Sequence, residues 1–503
     1  MGYGEIKLFL VLRNSFFYIF SEDLKVFVMA EQIIGRLAEK NILKECYESD
    51  KAEFIAVYGR RRIGKTFLIK SYFKDNFDFY ITGMYQGSKK EQLTFFNKQL
   101  CDYSKVPYPQ VDNWFDAFDQ LKHYLSTKKN KSVVFMDELP WLDTPRSNFI
   151  KALELFWNSW AADQPHIKLV VCGSATTWMI SHLFGNKSGL HNRVTRRMKL
   201  SAFTLAETEA YLKSQNIIWN RYQIAEAYMI LGGTPYYLQK LRKGYSLSQN
   251  IDYLFFSDNA ELKDEYTFLF RSLFNDSAIY QNTVELISKK SKGMTRSEMI
   301  SALKLSEGGQ FTEVLENLCN CDFIRKYSSF GKKERDVLYQ LTDLFTLFYL
   351  KFVKKNATHD EHLWSNMIDS SVRRNWCGYS FEQLCLHHIP QIKKCLGING
   401  IQSDVCSWYL PAKEEHKGGQ IDLLIDRRDQ VINLCEMKYS LNPFEISGKY
   451  MDDMNERKEL FRSSTKTRKA LHLTMVTTYG IKSNAYSGMI QSEVTLDDLF
   501  IEV

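Results

Sequence analysis

An apolar run, FIAVYG (54–59), leads straight into GRRRIGKT (59–66), and the helix-like FLIKSYF (67–73) follows. This order constrains the chain more than any other feature. A strand that ends in G-x-x-x-x-G-K-[ST], with a helix starting there, turns consecutive backbone N–H groups toward one spot. The positive end of the helix lies behind them. Such a loop holds phosphate. The candidate contacts are Gly59, Arg60, Arg61, Arg62, Ile63, Gly64, Lys65, Thr66 and Phe67. Lys65 would reach the β- and γ-phosphates, and Thr66 would offer its hydroxyl to Mg²⁺. The implied ligands are ATP and Mg²⁺.

Further on, VVFMDELPWL (133–142) is an apolar strand ending in two acids. Beside a phosphate loop that pattern has a purpose. Asp137 would hold Mg²⁺ directly or through water, and Glu138 would orient and polarise the attacking water. SVVFMD (132–137) and IKLVVCGS (167–174) are short, β-branched and bounded by polar residues, as buried parallel strands are. Strands alternating with helices up to about residue 200 imply an α/β fold with a doubly wound parallel sheet. A helix is expected over 29–50. Ser174, at the end of the 167–174 strand, has two readings: a γ-phosphate sensor between the two motifs, or a helix N-cap. Arg193, Arg196 and Arg197 are either surface arginines or include a finger that acts on a neighbouring subunit's nucleotide. The second reading would require a homo-oligomer.

Taken together, IIGR (33–36), YGRRRIGKT, FMDELPWL, CGSATTWM and GGTPYYL (232–238) resemble the archaeal-type AAA-like ATPases of the STAND group over roughly 29–275. The resemblance implies a P-loop ATPase core at 29–200 and a helical lid at 201–277. In that group the Gly-Gly-x-Pro of the lid approaches the nucleotide, which here designates Gly232 and Pro235.

The chain has 503 residues, enough for about three domains, each with its own core. Its 66 basic and 59 acidic side chains leave +7, which permits a nucleic-acid partner without arguing for one. Ten scattered cysteines without a CxxC pair read as reduced thiols of a cytoplasmic protein. Cys385, His387 and His388 have no common zinc-finger spacing. The apolar opening segment LFLVLRNSFFYIF (8–20) is too short for a membrane span and lacks a cleavage site, so no membrane association is expected. Either translation starts at Met29 and 1–28 is an extension, or the segment packs or touches a membrane.

Residues 278–343 read as a winged helix, with helices near 280–290, 294–303 and 308–324 and a wing, RKYSSFGKKERD, of net charge +3. A basic wing suits DNA phosphate, but the third helix carries Glu313 and Glu316 where a base-reading helix would carry Lys or Arg. Docking of a protein is the rival reading. A helical connector is expected at 344–375.

The last segment, 376–503, opens with a helix at 381–388 and contains strands QIDLLID (420–426) and VINLCEMKY (431–439). Glu436 and Lys438, two apart on a strand, share a face, and a neighbouring strand could bring Asp422 alongside. Two carboxylates and a lysine can bind a metal, activate water and stabilise charge on phosphorus. The pattern resembles the PD-(D/E)xK nuclease superfamily, a domain that often ends this ATPase group. Glu382 matches its frequent upstream acid, and Gln420 shares the strand face of Asp422. The resemblance implies a metal, Mg²⁺ or Mn²⁺, at Asp422, Glu436 and Glu382, with catalysis by Asp422, Glu436 and Lys438.

Two functions are compatible with these readings. One is an ATP-driven switch acting on DNA through the winged helix and nuclease-like domain. The other is a signalling or scaffold ATPase whose C-terminal domain binds a protein partner without cleaving anything.

Overall fold

The computed structural model describes residues 16–21, 24–29, 33–185, 189–274, 276–331, 337–356, 359–412 and 418–503. Their contacts divide the chain into two compact units. One takes the residues up to 57, then 64–172 and 189–198; the other takes 58–63, 173–188 and 199–503.

In the first unit, β1 (Phe16–Ser21) and β2 (Leu24–Met29) pair antiparallel, with Phe16 opposite Met29. Residues 8–15 of the apolar opening segment lie outside the described residues. The helix expected over 29–50 starts only at Leu37 and runs to Glu48. Gly35 and Arg36 are both left-handed, with φ of 62° and 55°, and no right-handed helix continues through such a pair.

Five strands follow: β3 (Glu53–Tyr58), β4 (Phe79–Thr82), β5 (Ser132–Asp137), β6 (Ile167–Gly173) and β7 (Arg196–Lys199). They form one parallel sheet in the order β4-β5-β6-β3-β7. Every residue of β5 and β6 is buried, the pattern of strands covered on both faces. The core beside it is aromatic. Trp114 meets Phe96 and Phe149 edge-on, with ring centroids 5.5 and 4.8 Å away.

From residue 199 the second unit continues with helices Leu205–Ser214, Arg221–Leu231, Pro235–Leu238, Leu247–Phe255 and Glu265–Leu273. Three more helices, Ser277–Ile287, Arg296–Leu303 and Gly309–Asn320, accompany β8 (Met294–Thr295), β9 (Ile324–Tyr327) and β10 (Leu338–Leu341). These strands form a sheet in the order β8-β10-β9. The tip of the wing, 332–336, lies outside the described residues.

Helix Leu344–Phe348 continues the chain, and helix Ser371–His387 is ten residues longer at its start than the expected 381–388. Ser370 caps it by accepting from the Arg373 N–H, and Arg373 is buried in an ion pair with Glu226. Trp376 stands edge-on to the fully buried Trp364. These tertiary contacts stabilise two turns that carry a glycine and look like connector in the sequence.

The final sheet has β11 (Ser403–Leu410), β12 (Gly419–Arg427), β13 (Val431–Lys438), β14 (Ala470–Thr477) and β15 (Ser492–Thr495), in that order. The first three run antiparallel, while β13, β14 and β15 are mutually parallel. Helix Gly448–Thr465 makes the crossover from β13 to β14. Among the described residues no helix is long and apolar enough to cross a membrane.

Candidate active site

In the first unit, helix Lys65–Phe73 starts directly after Gly64, which is left-handed at φ 85°. Lys65 is buried, and Phe67 is exposed. Thr66 Oγ1 donates to Asp137 Oδ2 at 2.9 Å, joining the start of this helix to the end of β5. Burial, and after it the neighbouring Glu138, hold the Asp137 carboxyl above the usual carboxylate range. A hydroxyl and a desolvated carboxylate in contact are hard oxygen donors, so the residues fit a divalent cation such as Mg²⁺.

Glu138 is left-handed, at φ 45° and ψ 50°, an uncommon conformation for a residue with a Cβ. The turn is over-determined from several sides. The Glu138 N–H donates to Asp137 Oδ1 at 3.0 Å, and Pro140 follows in the first turn of helix Leu139–Leu142. Two residues without a catalytic motif also hold this turn. The Gly83 N–H donates to the Asp137 carbonyl at 2.9 Å, and a Cβ on Gly83 would lie 2.6 Å from the Glu138 carbonyl. The fully buried Gln92 donates to the Trp141 carbonyl at 2.9 Å and to the Met84 carbonyl at 2.8 Å, and accepts from the Met84 N–H. A glutamine among Leu93, Phe96 and Leu100 on the buried face of helix Lys89–Ser104 is the signal that could have found it.

The earlier half of the loop belongs to the second unit. Gly59 is at φ 144°, and a Cβ there would lie 2.3 Å from the Leu200 carbonyl oxygen. Ile63 is buried and Arg61 half-buried. The Arg60 guanidinium pairs with Asp343 at 2.5 Å. Arg62 donates twice to Glu265, at 3.0 and 3.2 Å, and lies over the Tyr236 ring.

Gly232 ends helix Arg221–Leu231, and Pro235 opens helix Pro235–Leu238, whose Tyr236 N–H donates to the Arg62 carbonyl at 3.3 Å. Ser174 is buried, but it is not an N-cap: Ala175 occupies that position before helix Thr176–Met179. Arg193, Arg196 and Arg197 are exposed.

A second cluster lies at β12 and β13. Leu423 pairs with Cys435, which puts Asp422 and Glu436 one step further along the two strands. Gln420 donates to Asp422. Glu436 Oε1 accepts from Lys438 at 2.8 Å and from the Tyr450 hydroxyl at 2.8 Å, and Oε2 accepts from Arg457 at 2.9 Å. Burial pushes Glu436 up, but Lys438 and Arg457 outweigh it and hold the carboxyl low. Burial and the Asp422 charge push Glu382 up to about 8, so its carboxyl is protonated at neutral pH. Asp422 is also raised, chiefly by burial. Among the described residues, no three His, Cys, Asp or Glu side chains are grouped so as to hold a metal ion. The trio Glu382, Asp422 and Glu436 is therefore not a preformed metal cage. The reason is visible at Glu436, whose two oxygens already face two cations and a phenol.

In the described part of the segment read as a wing, Lys326 and Ser328 are exposed but Ser329 is buried. Ser329 bridges to Ser407 of β11, and the Phe330 ring packs on Phe461, 5.1 Å between centroids.

Residues 34–241 match the sequence model of a family described as an ATPase domain predominantly from Archaea. This segment is a P-loop ATPase domain. An uncharacterized protein of Methanocaldococcus jannaschii is 23% identical over 426 residues, covering 83% of this chain and 90% of that protein. Among solved structures, a Walker-type ATPase of Pyrococcus abyssi has a TM-score of 0.47 at 17% identity and covers 64% of this chain and 97% of its own. The ORC2 protein of Aeropyrum pernix, in ADPNP and ADP complexes, gives 0.39 at 14% identity, over 67% and 97%.

Proposed function

We propose that the protein is a Mg²⁺-dependent, ATP-hydrolysing switch that acts on DNA through a winged helix and a nuclease-like C-terminal domain. The contact between Thr66 and Asp137, with Glu138 held beside it, carries the first half of this reading. A bound Mg²⁺ would neutralise charge on the β- and γ-phosphates. Lys65 and the N–H groups of 59–64 bind and orient the triphosphate, Thr66 and Asp137 hold the cation, and Glu138 takes the proton of the attacking water. Ser174, Gly232 and Pro235 are proposed as further nucleotide contacts. One of Arg193, Arg196 and Arg197 would serve a neighbouring copy in a homo-oligomer; their exposure agrees with this.

The second half rests on the cluster of Glu382, Asp422, Glu436 and Lys438, whose charges act on one another. The order helix, three antiparallel strands, helix, parallel strand around them supports a nuclease-like domain. Binding of a second Mg²⁺ or Mn²⁺ would have to draw Lys438 or Arg457 off Glu436, and the cation released would then face the scissile phosphate.

The engagement of Glu436 and the docking of Phe330 favour a second reading, a scaffold ATPase without cleavage. An assay of the full chain on DNA with Mg²⁺ or Mn²⁺ separates the two. Cleavage lost in Asp422→Ala and in Lys438→Ala supports the nuclease reading. Absence of both cleavage and salt-sensitive DNA binding establishes the scaffold.

A further inference from the structure

The geometry points to Asp343 and Glu265 as positioning residues of the phosphate loop, and to Arg60 and Arg62 as the latches through which they act. Both acids lie outside the 34–241 segment that matches the ATPase family. The inference rests on 59–66 being the nucleotide loop.

Arg60 is buried, with its guanidinium Nη1 2.5 Å from Asp343 Oδ1 and its plane 5.3 Å from the Phe323 ring centroid. The partner is itself fixed. Asp343 Oδ2 accepts from the Thr346 N–H at 3.0 Å and from its hydroxyl at 2.5 Å, capping helix Leu344–Phe348. The Asp343 N–H donates to the Phe323 carbonyl at 3.2 Å. A buried arginine cannot be left without its counter-charge, so the backbone at Arg60 follows wherever Asp343 sits.

Two positions on, Arg62 stands left-handed at φ 74°, an uncommon conformation for a residue with a Cβ. Three contacts hold it: the paired hydrogen bonds to Glu265, the Tyr236 ring 4.0 Å from its guanidinium, and the Tyr236 N–H on its carbonyl. Glu265 is buried and also accepts from the Tyr237 hydroxyl at 3.2 Å. Tyr237 in turn stacks on Phe345, 4.6 Å between centroids, within the helix that Asp343 caps. The two latches therefore share one foundation. The loop's N–H groups are aimed by residues roughly 200 and 280 positions downstream, a preorganisation that raises affinity without touching the ligand.

Asp343→Asn tests this, because asparagine caps a helix as well as aspartate does: its oxygen can keep the bonds from Thr346, while the charge and the acceptor facing Arg60 are lost. The measurement is the Kd of the full-length protein for MgADP by calorimetry, which needs no turnover, with kcat and KM for ATP beside it. Asp343→Asn is expected to weaken MgADP at least tenfold, about 1.4 kcal/mol, and to raise KM similarly while kcat stays within threefold. Glu265→Gln, which keeps the hydrogen bond from Tyr237, is expected to weaken it about fivefold and serves alone should Asp343→Asn fail to fold. If Arg60 were instead a phosphate ligand, freeing it from Asp343 would tighten binding. Unchanged or tighter MgADP binding in folded Asp343→Asn or Glu265→Gln overturns the inference. Lys65→Ala separates the two failures: if it still binds MgADP normally, the loop assignment itself is wrong.

Discussion

His388 carries no motif, yet it joins two elements that meet only in the folded chain. Its Nε2 accepts from the Leu205 N–H at 3.0 Å, and its Nδ1 donates to the Leu384 carbonyl at 2.8 Å. The first bond satisfies one of the free donors at the start of helix Leu205–Ser214. Burial lowers the imidazole to about 4, below its ordinary 6.5. The unfolded chain therefore takes up this proton at a higher pH than the fold does. Stability from this group is complete above pH 6.5 and is lost as the pH falls toward 4, by about 3 kcal/mol in all. Urea midpoints at pH 7.5 and 5.0 should differ less in His388→Gln than in the parent chain; an equal difference would rule out His388 as the source. Lys65, Thr66, Asp137 and Glu138 could be named as candidates because a phosphate loop and an acidic strand end are local patterns. The partners of Arg60 and Arg62 were not, since an ion pair 283 residues apart leaves no mark on either segment. Ser174 fell one position from the cap because helix ends are set by backbone geometry more finely than by residue type.

Strands were easier to read than helices. The acidic strand β5 has the bounds expected of SVVFMD, since a run buried on both faces has no polar residue to blur its ends. Helix Ser371–His387 was legible only in its second half. Its first turns stand on Trp364 and Trp376, which form an edge-on group with Phe348 and Phe352. Trp364→Ala would open a cavity under this whole junction at a cost of about 3–5 kcal/mol. Chemical denaturation followed by far-ultraviolet circular dichroism should show the midpoint fall accordingly. A midpoint shift worth less than about 1 kcal/mol would mean that the helix start does not depend on this packing. The opening helix was misplaced for the opposite reason: Gly35 and Arg36 force a break where the composition alone is compatible with helix.

Across the whole molecule, the P-loop core was plain from sequence, but the way the phosphate loop is supported was not. Gly59 packs against Leu200, while Arg60 and Arg62 are held by Asp343 and Glu265, which lie beyond the segment that matches the ATPase family. The start of the segment read as a basic wing, for which DNA phosphate and a protein were both open partners, packs on the C-terminal sheet through Ser329 and Phe330. Charge patterns show what a surface could attract, and only the fold shows whether the surface is free. Both features suit a protein in which nucleotide turnover repositions the segments C-terminal to the core. ATP and ADP can do so only by contacting its states differently, which makes the hydrolysis proposed at Glu138 the step on which that reading depends. The decisive comparison is ATP binding against ATP turnover in full-length Glu138→Gln. The account predicts a Kd for MgATP within about threefold of the parent and a kcat lowered at least 100-fold, about 2.7 kcal/mol of barrier. Hydrolysis at the parent rate in Glu138→Gln would contradict it.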